Sequence, residues 1–175
     1  MADHLHIIPF ILQAEGSYSN DPNDPGGETM RGVTYTTWQQ FFGSDCHDRF
    51  LAMTQADWAV IFKKNYWDVA LADQIASQRI ADMVVDFIFN AGKFYPEKYI
   101  QDILIHSFGD QIAEDGDFGP ATIAAVNAAN EPILWTSIVA KRKWYYQQLV
   151  IIHPSDQEFL QGWLNRVDNL INFEA

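Results

Sequence analysis

One stretch breaks an otherwise helical chain. Between Gly16 and Gly32 the groups Asn20-Asp21-Pro22, Asn23-Asp24-Pro25 and Gly26-Gly27 follow in quick succession. Proline fixes φ and removes a donor, Asn and Asp bond back to nearby backbone, and glycine opens positive φ. No helix survives such a run. A short β-hairpin or a stiff irregular loop is expected, pre-shaped by its prolines and its glycine pair. No other segment shows the strict alternation of a half-buried strand. The fold class is therefore all-α, a mainly helical globule with one small non-helical patch.

Helix signals recur on both sides of that patch. Ile7, Ile8, Ile11 and Leu12 form an apolar segment, in which Pro9 suits a first turn or introduces a kink. Thr36 with Gln39 reads as a capping box ahead of Trp38, Phe41 and Phe42, and Thr54 with Asp57 as another ahead of Trp58, Ile61 and Phe62. After Ser77 the stripe Ile80, Met83, Val84, Phe87, Ile88 and Ala91 predicts a central buried helix. Tyr99, Ile100, Ile103 and Leu104 form the next. Pro120 fits a first helical position, Glu131-Pro132 opens a long segment through Leu149, and Ser155 with Glu158 caps a last helix through Ile171. The softest boundary lies between Gly92 and Pro96. It divides residues 1–93, a front lobe, from residues 94–175, a helical rear lobe.

Charge and cysteine content exclude several function classes. With 11 basic and 23 acidic residues the net charge is −12, which repels phosphate backbones and disfavours docking on anionic membranes. Neither a nucleic-acid partner nor stable membrane association is expected, and no segment is long enough for a membrane span. Cys46 is the single cysteine, so no internal disulfide forms. A packed or partly exposed thiol is expected there, since a nucleophile would need a converging histidine and His47 is only its neighbour. His4, His6, His47, His106 and His153 show no metal-binding spacing, so neither a metal nor another cofactor is expected. His4 and His6 read as surface residues at a loose terminus. The N-terminal segment lacks a basic leader and a small-residue cleavage site, so no signal peptide is expected.

The front loop carries the chemistry. Glu15 falls four residues after Ile11, which in a helix places it on the core-facing side. Burial disfavours the charged form and would keep its carboxyl protonated, the state a general acid needs. Asp21 and Asp24 lie in polar turns where they stay ionised, able to orient water or steady an oxocarbenium-like transition state. Thr29 could hold the same water. The plain alternative is structural: Asp-Pro and Asn-Asp pairs commonly build turns, and Glu15 could be a buried cap or pair with Arg31. A protonated acid beside an ionised or water-holding partner is the arrangement of glycoside hydrolysis.

These residues resemble a known family. Glu15-Gly16-Ser17-Tyr18, then Asn20 to Gly27, Thr29 and Gly32-Val33-Thr34 are similar to the glycoside hydrolase family 108 N-acetylmuramidases, lysozyme-like enzymes of phages and bacteria. The resemblance continues through Tyr66-Trp67, Val85-Asp86-Phe87 and Asn90-Ala91-Gly92. Asp115 to Thr122 is similar to the opening of a peptidoglycan-binding segment. It implies a lysozyme-like fold of the α+β superfamily and cleavage of the β-1,4 bond between N-acetylmuramic acid and N-acetylglucosamine. Glu15 is then the catalytic acid, with Asp24 first and Asp21 second as partner, and Thr29 as water holder. Tyr18, Thr34, Tyr66, Trp67, Asp86 and Asn90 are the implied substrate contacts. Asp86 and Asn90, one turn apart, either face a groove floor or satisfy buried backbone groups. Ser17, Glu28 and Met30-Arg31 depart from the family pattern, and Glu28 adds a third acid near the site.

The expected partner is cell-wall peptidoglycan. A protein made in the cytoplasm without a leader would reach the periplasm or wall through a holin pore or a secretion system, so the roles of endolysin and export-assisting wall cutter both remain open. Two readings compete with a muramidase: a weakened or inactive peptidoglycan-binding module, and a lytic transglycosylase. Glu114, Asp115 and Asp117 lack the ligand pattern of a calcium loop and read instead as a turn before the helix opened by Pro120.

Overall fold

The computed structural model describes residues 1–16, 18–20, 27–44 and 47–175. Asp21, Asp24 and Cys46 fall outside these residues. The chain forms two compact units, residues 4–65 and residues 66–175 with 1–3. As expected, it is mainly helical, and the described residues carry one short hairpin sheet.

The first unit begins with α1 (His4–Ala14). Its buried residues Ile7, Ile8, Phe10 and Ile11 follow helical spacing. Pro9 sits inside α1, not at its start, and His4 and His6 occupy its first turns, so this terminus is helical where a loose one was expected. Three two-residue strands follow: β1 (Tyr18–Ser19), β2 (Thr29–Met30) and β3 (Val33–Thr34). They pair antiparallel in the order β1-β2-β3, with Tyr18 opposite Met30 and Thr29 opposite Thr34.

Strand β3 runs straight into α2 (Tyr35–Phe42). Thr34 caps this helix, its hydroxyl accepting from the Thr37 N–H at 3.1 Å. The expected cap at Thr36 is therefore corrected: an N-cap needs extended backbone, and the strand supplies it at Thr34 (φ −71°, ψ 150°). After α3 (His47–Leu51), the Thr54–Asp57 capping box opens α4 (Gln55–Phe62) as the sequence predicts. Trp38 packs on Phe42 and Phe50, and Trp58 stacks on Phe62.

The second unit is built on α5 (Gln78–Ala91), capped by Ser77 and buried without interruption from Ile80 to Ile88. It continues through α6 (Phe94–Ile103), a wide turn over Leu104–Phe108, α7 (Pro120–Ala128), the 22-residue α8 (Glu131–Ile152) and α9 (Leu160–Phe173). Pro120 stands in the first turn of α7, where its missing N–H costs nothing. The expected cap at Ser155 is not used. A 3-10 turn over Pro154–Phe159 precedes α9, and the Ser155 hydroxyl donates to Asp156.

Polar side chains fix the inner packing of this unit. Asp86 on α5 is fully buried and accepts from Arg142 of α8 and Arg166 of α9, each at 2.7 Å. Burial pushes its carboxyl pKa up, but the two guanidinium charges outweigh that and hold it below the usual range. Beside this pair, Phe87, Tyr146 and Val167 form an apolar cluster. The loop before α7 is tied to α6 by two buried side chains. Gln101 accepts from the Gly116 N–H and donates to Asp115, each at 2.8 Å. Glu97 accepts from the Phe118 N–H at 2.9 Å.

Candidate active site

Glu15 stands one residue past the last residue of α1, in a bend, and is half-buried. The helix delivers it, because its apolar face pins the preceding turns and the chain then leaves helical geometry. Its carboxylate lies against the turn between β2 and β3. A Cβ built on Gly32 would collide with the Glu15 carboxylate and lie 3.2 Å from its carboxyl carbon. Only a residue without a side chain lets the acid approach the backbone so closely.

That turn has a defined conformation. Arg31 and Gly32 both adopt positive φ, +50° and +76°. Two such residues between paired strands make a type I′ turn, whose twist matches the flanking strands. Left-handed backbone is unfavourable for a residue with a side chain, so Arg31 must be held there. The Trp58 indole N–H does so by donating to the Arg31 carbonyl at 3.1 Å.

Beyond the turn, the sheet lines up polar side chains. Thr29 is half-buried on β2, between Ser19 of β1 and Thr34 of β3. Thr34 is committed to capping α2 and also donates to the Thr37 hydroxyl at 2.9 Å. Tyr18 is exposed on β1, and its hydroxyl donates to the Glu28 carboxylate at 2.8 Å. His47 Nε2 approaches the same carboxylate at 2.9 Å. Hydrogen bonding from His47, and then from Tyr18, holds the Glu28 carboxyl below its usual pKa range. His47 escapes a reading of the sequence because its partner lies nineteen positions earlier on another element. The edge-on ring of Tyr35, 5.0 Å away, supports it.

The residues proposed from the second unit separate into two kinds. Tyr66 is half-buried with its ring edge-on to Phe89, and Asn90 is exposed and accepts from the Tyr146 hydroxyl at 2.7 Å. Trp67 and Asp86 are fully buried. The Trp67 indole donates to Asp73 at 2.6 Å, and Asp86 is consumed by its two arginines. Sugar contact by these two is corrected accordingly: no face of either reaches solvent, and both hold the scaffold.

As for metals, Asp102, His106 and Glu114 bring ligand atoms within 4.8 Å of one another. Asp102 is already paired with Lys141 at 2.9 Å, so a cation there would meet an ammonium group. The donor set fits a metal poorly.

At Glu15, then, a carboxylic acid is braced against the backbone of the β2–β3 turn, the adjoining strands carry the Thr29 and Thr34 hydroxyls, and Glu28, just before β2, pairs with His47 at the start of α3. Residues 8–92 match the model of a family described as Glycosyl hydrolase 108, and residues 95–168 match that of a Predicted Peptidoglycan domain. In fold the chain is similar to SagA of Brucella abortus, with a TM-score of 0.73 over 98% of this chain and 92% of that one, at 23% identity. No curated protein is significantly similar to it in sequence.

Proposed function

Since this chain belongs to the glycosyl hydrolase 108 family through residues 8–92, we propose that it is an N-acetylmuramidase, cleaving the β-1,4 bond between N-acetylmuramic acid and N-acetylglucosamine with Glu15 as general acid. That it is a peptidoglycan-directed glycosidase of the lysozyme type follows from the family and from the peptidoglycan domain behind it. The finer reading rests on one observation: the Glu15 carboxylate lodged against Gly32, where a left-handed turn keeps the approach open.

In the proposed reaction the protonated Glu15 gives its proton to the glycosidic oxygen as the bond to the anomeric carbon breaks. Positive charge then builds on the ring. A carboxylate of the loop, Asp24 first and Asp21 second, stabilises it or directs water, and Thr29 helps to hold that water. Direct attack by water needs carboxyl groups about 6.5–9.5 Å apart and inverts the anomeric centre. Tyr18 and the rim of the sheet supply sugar contacts. We place the functional division at residues 93/94, with wall binding assigned to the rear. Release through a holin or a secretion system would bring the enzyme to its substrate.

The test uses purified peptidoglycan. Wild type should release fragments ending in reducing N-acetylmuramic acid, and Glu15→Gln should release almost none. Anhydro-muramyl ends would make the enzyme a lytic transglycosylase. Equal clearing by both proteins would remove Glu15 from the acid role, and binding without any clearing by wild type would leave only a wall-binding module.

A further inference from the structure

A second site lies on the other unit, far along the chain from Glu15. The end of α6 and the wide turn after it face the middle of α8 across a cavity of about 380 Å³. Ile103 and Ala140 give its apolar portion, Asp102, His106, Ser107, Ser137 and Lys141 its polar one, and Trp144 flanks it. The volume falls at the small end of ligand pockets, which run to roughly 300–1,000 Å³.

Three features define what fits. Trp144 keeps 43% of its surface exposed although it is one of the larger apolar side chains on α8. Its position is fixed: the Tyr99 ring meets it edge-on at 5.8 Å, and the Lys141 ammonium sits 4.7 Å from its centroid and 4.9 Å from that of Tyr99. An exposed indole held in place is a platform for a flat apolar face.

The second feature is charge. Lys141 pairs with Asp102 at 2.9 Å, and His106 approaches the same carboxylate at 3.5 Å. Within the lining Lys141 is matched by Asp102, and the Glu114 carboxylate close to Asp102 and His106 adds further negative charge, so no unmatched ammonium waits for an anion. A ligand rich in carboxylates would gain little there and would meet a protein of net charge −12. A neutral ligand with many hydroxyls meets acceptors at Asp102 and donors at Ser107, Ser137 and Lys141.

The third feature is location, because every residue of the cavity lies within 95–168, the span that matches the peptidoglycan domain. Peptidoglycan offers neutral sugars and charged peptide stems, and the lining favours the sugars.

We propose that this cavity is a glycan-holding site for an N-acetylglucosamine unit of the wall. The sugar's C–H face stacks on Trp144, its acetyl methyl lies on Ile103 and Ala140, and its hydroxyls bond Asp102 and the two serines. The proposal rests on peptidoglycan as the substrate, and no bond breaks at this site. It would tether the enzyme to a strand while the Glu15 region works elsewhere on the polymer.

The probe is the tetramer of N-acetylglucosamine, titrated into Glu15→Gln protein so that cleavage does not intrude. The Trp144 indole N–H resonance should shift on addition, and Trp144→Ala should weaken binding at least tenfold. Ser137→Tyr, which fills the cavity from its half-buried wall without touching the stack, should do the same while leaving the melting temperature in place. Unchanged affinity in both variants, or shifts confined to residues 4–65, would overturn the site. A free stem peptide that moves the Trp144 signal where the sugar does not would also overturn it. Failure of wild type to cut walls would sink the muramidase reading instead, and the Trp144 titration would still return its own answer.

Discussion

Two carboxylates, one in each unit, are positioned by opposite means. Asp86 is fully enclosed and clamped by two guanidinium groups from helices 56 and 80 residues away. Glu15 sits half-buried at a helix end, braced by the backbone of a two-residue turn. An acid locked between two cations cannot change its protonation without dismantling the packing around it. Glu15, resting on a glycine turn, is the acid proposed for proton transfer. The contrast sets a scaffold acid beside the proposed general acid.

The largest expected effect exploits that difference directly. Glu15→Gln should lower the rate of wall hydrolysis by about 10²–10⁴-fold, the usual contribution of general acid–base catalysis, with the melting temperature nearly unchanged. Asp86→Ala should do the reverse. It strands Arg142 and Arg166 without their shared anion, and breaking a buried pair costs roughly 3–5 kcal/mol. Chemical denaturation should show the loss, while the rate per folded molecule stays close to wild type. A stability loss for Glu15→Gln as large as that for Asp86→Ala would erase the distinction between the two acids.

A smaller effect sharpens what the hairpin contributes. Gly32→Ala introduces both a strained φ and a collision with the Glu15 carboxylate, so it should cost about 1–2 kcal/mol and displace the acid. Gly109→Ala is the matched control. Gly109 is also left-handed, with φ +80°, but open space lies where its Cβ would go. Similar destabilisation with a reduced rate only for Gly32→Ala would isolate the steric role of the turn. Equal rates for the two variants would show that the acid does not depend on it.

What could be read in the sequence was what depends on near neighbours. The Thr54–Asp57 box and the buried stripe of α5 each need contacts only three or four positions apart, and each appears where expected. The turn-rich segment pointed to a short hairpin or a stiff irregular loop, and the two-residue strands that flank it pair antiparallel. The capping pattern pointed to Thr36, and a strand only two residues long moved the cap to Thr34. The partners of Asp86 lay far along the chain, so a buried ion-pair hub and a groove-floor acid looked alike. His47 was read against its neighbour Cys46, and its contact with Glu28 is one that only the folding of α3 against the start of β2 creates. The enzyme class came from a motif around Glu15, while the roles of Asp21 and Asp24 belong to residues beyond those the structure describes.

The last effect concerns a third acid that belongs to neither kind. Glu97 is buried like Asp86 but lacks a matching cation in contact: Lys93 stands 3.8 Å away, and one carboxyl oxygen, Oε1, has no hydrogen-bond partner. Burial pushes its pKa up to about 7. The Phe118 N–H and Lys93 pull it down, and Asp117 and Asp115 push it further up. The unfolded carboxyl titrates near roughly 4.3, so between that pH and 7 the folded protein binds more protons than the unfolded chain. Stability from this group is therefore full in acid, falls as pH rises through that window, and levels off above it. Glu97→Gln keeps the acceptor for Phe118 and never ionises. Its stability relative to wild type should rise between pH 4.5 and 7, by on the order of 2 kcal/mol, and then stay constant. Asp82, which burial and Glu174 also push upward, adds a fall of the same sign to both proteins, so the difference between the two curves is the quantity to measure. A flat difference would mean that Glu97 is ionised throughout, as Asp86 is, and that the fold tolerates a buried carboxylate without a close cation.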